Sequence, residues 1–509
     1  MSEAPQRLGV LGAGTMGAGI AQLGCLAGMD TVLHDPVADA LEAGAGNVRA
    51  GLDKGAERGR WSVEEAGAAA ERLDTAATTE GLRDCELVIE AAPERAELKR
   101  ELFAELSEVC AEGAVLATNT SSIPVTSLAS AAARPQNVVG MHFFNPAPLM
   151  RLVEVIAAEQ SGERAVAVAR AAGEAMGKRV IIAADEPGFL VNRCGRPFGA
   201  EALRLLQERV ASVEQIDRIC RLGGGFRMGP FELMDLVGID VGFEVAKSFT
   251  ELSFGEPRWK PSPIQARMVA AGLLGRKSGR GYYDYSDGPH RPEDVDPPAL
   301  GDGDGGALEI LGEGSLADEL RGRADAAGYD VGKASGLVVD ASPSPVALPP
   351  AGGEPLLALC AGSSLAARAA PEACGFHLVP PLGNTQLVEL TRLPTTPDSV
   401  ASAAESLFTA LGFLHEWVED APGLVLGRIV CQLVNEAAFA IGEGVGSAAD
   451  VDAGLELGLN HPVGAVARAE AIGLEHVLAT IDGLHRERGE ERYRAAPALR
   501  AAVTTGGGL

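Results

Sequence analysis

His142 and Glu154 stand twelve residues apart in GMHFFNPAPLMRLVEVI (140 to 156). A carboxylate hydrogen-bonded to an imidazole fixes the ring's tautomer and raises its basicity, so such a pair can take a proton near neutral pH. Two other stretches supply neutral groups suited to orienting a hydroxyl or polarising a carbonyl. One is the run Asn119-Thr120-Ser121-Ser122, and the other is the Val-Asn-Arg segment around Asn192. Spacing alone leaves open whether His142 is a base or a histidine satisfied in a core. Its place at the end of a predicted strand of a nucleotide-type sheet, where ligands bind, favours the base.

The arrangement recurs 235 residues later, where GFHLVPPLGNTQLVELT (375 to 391) carries His377 and Glu389 at the same spacing. The register persists without a gap: DEPGFLVNR at 185 meets DAPGLVLGR at 420, and MGPFELMDLVGID at 228 meets VGAVARAEAIGLE at 463. Such a match reads as a duplication, and the copies differ where chemistry would lie. Asn192 becomes Gly427 and Asn145 becomes Pro380, so the first copy is expected to react and the second to be silent.

The elements that must position these residues begin at once. Residues 7 to 35 read strand, turn, helix, strand, with Gly12-Ala13-Gly14-Thr15-Met16-Gly17 opening the helix. Glycines there permit a tight turn and close approach of a pyrophosphate to the free amides of the helix start. Asp35 ends the second strand, where a carboxylate accepts hydrogen bonds from ribose hydroxyls and repels a 2′-phosphate, which favours NAD over NADP. Strands alternate with helices up to about 185, which predicts a parallel sheet covered on both faces. Helical segments dominate 186–285, a linker rich in Asp, Pro and Gly spans 286–306, and 307–418 reads as a shortened α/β unit. That unit has no G-x-G-x-x-G, so it is expected to lack a nucleotide turn. Helical character returns over 419–509.

Composition narrows the function classes. A formal charge of −27 argues against nucleic acid and anionic membranes as partners. Eight scattered cysteines without a C-x-x-C pair suggest reduced thiols in a cytoplasm. The glycine-rich motif follows the N-terminus too closely for a signal peptide, and no apolar run is long enough to span a bilayer. No spacing of His, Cys and acids suggests a metal site.

In order and spacing, GAGTMGAGIA, VIEAAPE, NTSS, GMHFFNPAPLMRLVEVI and DEPGFLVNR resemble the 3-hydroxyacyl-CoA dehydrogenases of β-oxidation and fatty acid metabolism. The resemblance implies a Rossmann-like NAD-binding domain (1–185) followed by 6-phosphogluconate-dehydrogenase-like helical domains (186–285 and 419–509), the second preceded by a degenerate α/β segment. It further implies NAD-dependent oxidation of an (S)-3-hydroxyacyl-CoA, short-chain as in 3-hydroxybutyryl-CoA. Carried over, His142 is the base, Glu154 its partner, and Ser121 and Asn192 the contacts to the reacting oxygens. Asn145 supports the substrate site, and Glu94, Lys99 and Asn119 join Gly12, Gly14, Met16, Gly17 and Asp35 around the cofactor. Lys54 and Arg58 could meet CoA phosphates or simply form a solvated helix face. Relatives with one helical domain resemble obligate dimers, so the two helical copies here are expected to pair within the chain. Two other readings stay open: a dehydrogenase of a free hydroxy acid such as carnitine or a sugar acid, and a non-enzymatic NAD-binding structural protein.

Overall fold

The computed structural model describes residues 4–301, 303–332, 336–344 and 354–509. Residue 302 of the expected linker, and 333–335 and 345–353 of the second α/β segment, lie outside the described residues. Packing divides the chain into two compact units, Met1–Arg193 with Gly444–Asn460 and Cys194–Glu443 with His461–Leu509.

The first unit is built on eight strands: β1 (Arg7–Leu11), β2 (Asp30–His34), β3 (Leu73–Ala76), β4 (Leu87–Glu90), β5 (Val115–Thr118), β6 (Val138–Phe143), β7 (Leu152–Ala157) and β8 (Arg179–Ala184). Their order is β3-β2-β1-β4-β5-β6-β7-β8. Every pair is parallel except β6 with β7, which run antiparallel. The central strands β4, β5 and β6 are buried along their whole length, as expected for apolar runs covered on both faces. This is the expected α/β dinucleotide-binding sheet.

Among the described residues, the second segment repeats it with one strand fewer. Its strands are β9 (Ala307–Leu311), β10 (Asp330–Val331), β11 (Leu337–Asp340), β12 (Leu356–Leu359), β13 (Cys374–His377), β14 (Leu387–Arg392) and β15 (Leu414–Trp417). The order β10-β9-β11-β12-β13-β14-β15 matches the first sheet, with no counterpart of β3 among the described residues, and β13–β14 is again the antiparallel pair. One expectation is corrected here. The segment does retain a glycine turn after its first strand: Gly312-Glu313-Gly314-Ser315-Leu316-Ala317 leads into the helix Ser315–Ala326. Gly312 has φ 101°, against 102° for Gly12. A Cβ on Gly312 would come within 2.9 Å of the Ser342 amide nitrogen, just as one on Gly12 would meet the Ala91 oxygen at 2.7 Å. Alanine in the last position hid the motif, because close helix–strand packing tolerates Ala as well as Gly there.

The helices keep the register of the duplication. Val191–Glu208, Val213–Leu222, Pro230–Val237 and Ile239–Leu252 are matched by Leu426–Gly442, Ala448–Leu459, Ala465–Ile472 and Leu474–Arg488. Each sheet carries a helix from the other copy. In the first unit, Ala448–Leu459 packs on β7 and β8, with Asp450 paired to Arg179 at 3.3 Å and the Ala184 amide bonded to the Val445 oxygen. Glycine allows this approach, since a Cβ at Gly454 would lie 2.7 Å from Val191 and one at Gly458 2.9 Å from Leu152. In the second unit, Val213–Leu222 lies against β14, and the Gln386 amide bonds the Leu222 oxygen.

Within the second unit the helical copies share one core, in which Phe198, Leu205 and Phe231 of the first join Ile429, Val434 and Val477 of the second. At its centre Arg428 is wholly buried, bonded to Glu201, to both oxygens of Glu208 (2.8 and 2.9 Å) and to the Tyr493 hydroxyl (2.6 Å). Replacing Arg428 by Met leaves the buried Glu201 without a counter-charge, while Glu208 keeps Arg488 at 3.2 Å and Arg204 at 3.7 Å, a loss of roughly 3–5 kcal/mol. The thermal midpoint should fall by roughly 5 °C or more; a midpoint within about a degree of wild type would show that the acids find other partners.

Candidate active site

The antiparallel pairing of β6 with β7 places His142 directly opposite Glu154. Their side chains meet at 2.7 Å, Nδ1 to Oε2. Glu154 is completely buried, and its other oxygen accepts the amides of Leu190 (3.1 Å) and Val191 (3.0 Å) at the start of the helix Val191–Glu208. A buried carboxylate is tolerated when its lone pairs are filled in this way, and the positive end of a helix favours it. With the carboxylate at Nδ1, the tautomer is Nδ1–H. Nε2 then carries the lone pair, and it has no protein partner among the described residues. Phe144 and Phe189 flank the ring at 4.6 and 6.0 Å between centroids and shield it from water.

Asn192 follows Val191 in the first turn of the same helix, so the amides that hold Glu154 also set its position. Asn119, after β5, accepts the Phe143 amide at 2.8 Å and ties its loop to the strand of His142. In that loop Ser121 is half-buried, and its amide bonds Glu94 Oε1 at 3.0 Å. The same oxygen accepts the Thr120 hydroxyl (2.5 Å) and the Ser122 hydroxyl (3.1 Å). Burial pushes the Glu94 carboxyl up, yet the Lys99 ammonium and these hydrogen bonds more than offset it and hold it below its usual value. Lys99 itself is buried, with Nζ 2.8 Å from Glu90 and 3.2 Å from Glu94. It stands behind Glu94 as a positioning residue.

The glycine turn fits a dinucleotide. A Cβ at Gly17 would lie 1.7 Å from the Gly12 oxygen, so that helix packing needs glycine. A Cβ at Gly14 would meet nothing within 4 Å, which leaves the helix start uncovered. Met16 is half-buried on the first turn. Asp35 bonds the Ala13 amide at 2.9 Å and the Val37 amide at 3.0 Å, which places the carboxylate against the turn. Other residues are less engaged. Asn145 is exposed, and Lys54 and Arg58 are exposed near the end of the helix Ala38–Glu57 without an ion-pair partner among the described residues. No group of three or more His, Cys, Asp or Glu among the described residues could hold a metal, and no helix is long and apolar enough to cross a membrane.

Two residues were missed. Glu90, at the end of β4, anchors Lys99 and accepts the Thr118 hydroxyl; the signal was an acid closing an apolar strand. Lys178 donates to the oxygens of Ala147 and Met150, both at 2.7 Å, bracing the loop after His142, and burial pushes it down to about 8. A lone Lys before a strand carried no such signal.

In the second copy the same register pairs His377 with Glu389, but the hydrogen bond is gone. Both Glu389 oxygens are spent on amides, those of Val425 (2.7 Å) and Leu426 (3.0 Å). His377 Nδ1 has no partner, and Nε2 faces His476 at 3.4 Å. A Cβ at Gly427 would lie 2.1 Å from the His377 ring, which therefore occupies the space of the missing Asn192 counterpart. Burial, aided by His476, holds His377 well below its usual value and neutral.

Comparison with known proteins gives the family. The 3-hydroxyacyl-CoA dehydrogenase NAD-binding domain matches residues 7–186, and the C-terminal domain of that family matches 188–285 and again 423–507. The chain belongs to the 3-hydroxyacyl-CoA dehydrogenase family. It is an NAD-dependent oxidoreductase, and its cofactor is NAD. It is 34% identical over 495 residues to 3-hydroxyadipyl-CoA dehydrogenase of Escherichia coli K12, covering 97% of each chain. It is 40% identical over 287 residues to 3-hydroxybutyryl-CoA dehydrogenase of Mycobacterium tuberculosis, which covers 56% of this chain and all of that one. A crystal structure of 3-hydroxybutyryl-CoA dehydrogenase from E. coli K12 superposes with a TM-score of 0.85 at 33% identity, covering 98% of both chains.

The second copy's carboxylate offers a test. Burial pushes Glu389 up to about 8, against the amide hydrogen bonds that lower it. The folded state thus keeps a proton that the unfolded chain releases above about 4.5. This contribution is full below that pH and is lost as pH rises through about 8. Glu389→Gln does not titrate, so its thermal midpoint should gain on wild type from about pH 5 to about pH 8. A flat difference would show Glu389 ionised in the native state.

Proposed function

We propose that this chain oxidises a short-chain (S)-3-hydroxyacyl-CoA, such as 3-hydroxybutyryl-CoA, to the 3-oxoacyl-CoA, with His142 as general base. The observation that carries the reading is the 2.7 Å pair of His142 Nδ1 with a fully buried Glu154 whose other oxygen is held by two amides. That arrangement leaves Nε2 as the only basic lone pair of the ring. His142 takes the proton of the C3 hydroxyl there, and Glu154 stabilises the imidazolium that results. NAD, held by Gly12, Gly14, Met16, Gly17 and Asp35, supplies the hydride acceptor. Ser121 and Asn192 donate to the oxygens of the substrate without adding charge to an anionic thioester. Glu94, with Lys99 behind it, holds the Ser121 loop, and Asn119 ties that loop to β6. Asn145 borders the site, and Lys54 and Arg58 are the basic residues available to CoA phosphates. The relatives named above support a short chain, since their names carry hydroxybutyryl and hydroxyadipyl groups.

NADH formation from 3-hydroxybutyryl-CoA, compared with free 3-hydroxybutyrate, carnitine and sugar acids, tests the substrate class; turnover of a free acid alone would overturn it. His142→Gln should lower kcat by about 10² to 10⁴-fold while NAD affinity is kept. A variant with more than about half the wild-type kcat would take His142 out of the mechanism.

The same reading extends to assembly. The core shared by the two helical copies, with Arg428 reaching Glu201 and Glu208, supports an intrachain pseudo-dimer that replaces association of two chains with a tethered pair. A chain truncated near Asp287 exposes Phe198, Leu205 and Phe231 and should aggregate or dimerise. A stable monomer by sedimentation would sink the pairing.

A further inference from the structure

A cavity of about 520 Å³ lies wholly within the second unit, against the helix Val191–Glu208 from Arg196 onward. Its walls carry four cations, Arg196, Arg204, Lys260 and Arg492, against two acids, Glu490 and Glu491. In a chain of net charge −27 that is a local reversal. Glu490 is already paired with Arg204. Arg196, Lys260 and Arg492 have no carboxylate partner among the described residues. The rest of the wall mixes apolar groups, among them Leu203, Met234, Ala246 and several prolines, with the polar Gln207, Ser262 and Gln265.

Arg196 is the most exceptional of these. Its guanidinium lies over the Phe249 ring, 4.6 Å from the centroid, and its buried Nε has no hydrogen-bond partner. Burial pushes it down to about 10. A desolvated guanidinium without an acceptor is costly, so a site that keeps one has a use for the fork it presents.

The duplication shows that the space is built. At the matching positions of the second copy, Gly199 is Val434, Gly242 is Val477, Ala246 is Ile481 and Arg196 is Cys431, and all four counterparts are fully buried. The same helices thus close over an apolar plug in one copy and open around a cation in the other. Nothing in the packing demands the glycine: a Cβ at Gly199 would meet nothing nearer than Met234, at 4.0 Å. Glycine in mid-helix destabilises relative to alanine, so what it supplies here is room.

We propose that this cavity binds an aliphatic carboxylate, with the carboxylate on the Arg196 guanidinium and the alkyl chain along the Leu203, Met234 and Ala246 wall. Planar, bidentate pairing matches a carboxylate to an arginine fork, and apolar walls suit an alkyl body. Such a group is offered by a free carboxylic acid with a short alkyl chain.

The test uses the full chain loaded with NAD. Hexanoate, followed by titration calorimetry, should bind saturably to wild type and at least about tenfold more weakly to Arg196→Met and Gly199→Val. Gly199→Val keeps every cation and only fills the space, so it guards against a folding failure of the charge variant. In a separate assay, reduction of acetoacetyl-CoA by NADH should stay within about twofold in both, because neither residue belongs to the catalytic group. No saturable hexanoate binding to wild type overturns the proposal, and so does displacement of hexanoate by inorganic phosphate. Absence of acetoacetyl-CoA turnover in wild type would count against the proposed reaction while leaving the calorimetric result to stand by itself.

Discussion

Glu154 is the group on which the rest of the first unit depends. A carboxylate with no exposure must fill its lone pairs or lose far more than a hydrogen bond returns. It does so on two sides, with one oxygen on His142 and the other on the amides of Leu190 and Val191. Several features of the architecture serve that arrangement. The single antiparallel pair in an otherwise parallel sheet brings His142 opposite Glu154, and the helix start after β8 delivers the amides. Asn192 then comes into place without a device of its own.

The second copy shows how little separates such a site from a silent one. Sheet order, register, His–Glu spacing and even the helix-start amides are all retained. What changes is which atoms the carboxylate spends its oxygens on. With glycine at 427 the His377 ring fills the vacated space and turns to His476, and Glu389 is left with amides alone. The tautomer is then no longer set by an acid, and burial keeps the ring neutral. Its sheet still serves packing, since it carries the first copy's helix Val213–Leu222, while the first sheet carries Ala448–Leu459.

A second ion cluster, buried at Glu90 and Lys99 and open to solvent at Glu94, works on the loop rather than on the base. Glu90, Lys99 and Glu94 form a chain in which only Glu94 reaches the backbone and hydroxyls of the Thr120–Ser122 loop. Buried pairs of this kind add little net stability but fix geometry, because each member is costly to leave unpaired. Ser121 and the glycine turn are therefore each held from behind by a carboxylate, Glu94 in one case and Asp35 in the other.

Much was legible in the chain because it is written locally. The turn from Gly12 to Gly17, the acid at 35 and the alternation of strands and helices all depend on residues near each other in sequence, and the repeat at 235 residues shows when the chain is aligned with itself. Twelve-residue spacing even anticipated the register of both His–Glu pairs. It could not say which pair makes a hydrogen bond, because that depends on a ring orientation set by residues 427 and 476. The glycine turn at 312 escaped notice because only packing shows that Ala317 can stand for glycine. The exchange of helices between sheets, the role of Lys99 behind Glu94 and the cavity around Arg196 belong to tertiary structure alone. The first and the last join side chains tens to hundreds of residues apart, Lys99 and Glu94 are five apart, and the burial that decides the cost of each charge has no signature in spacing.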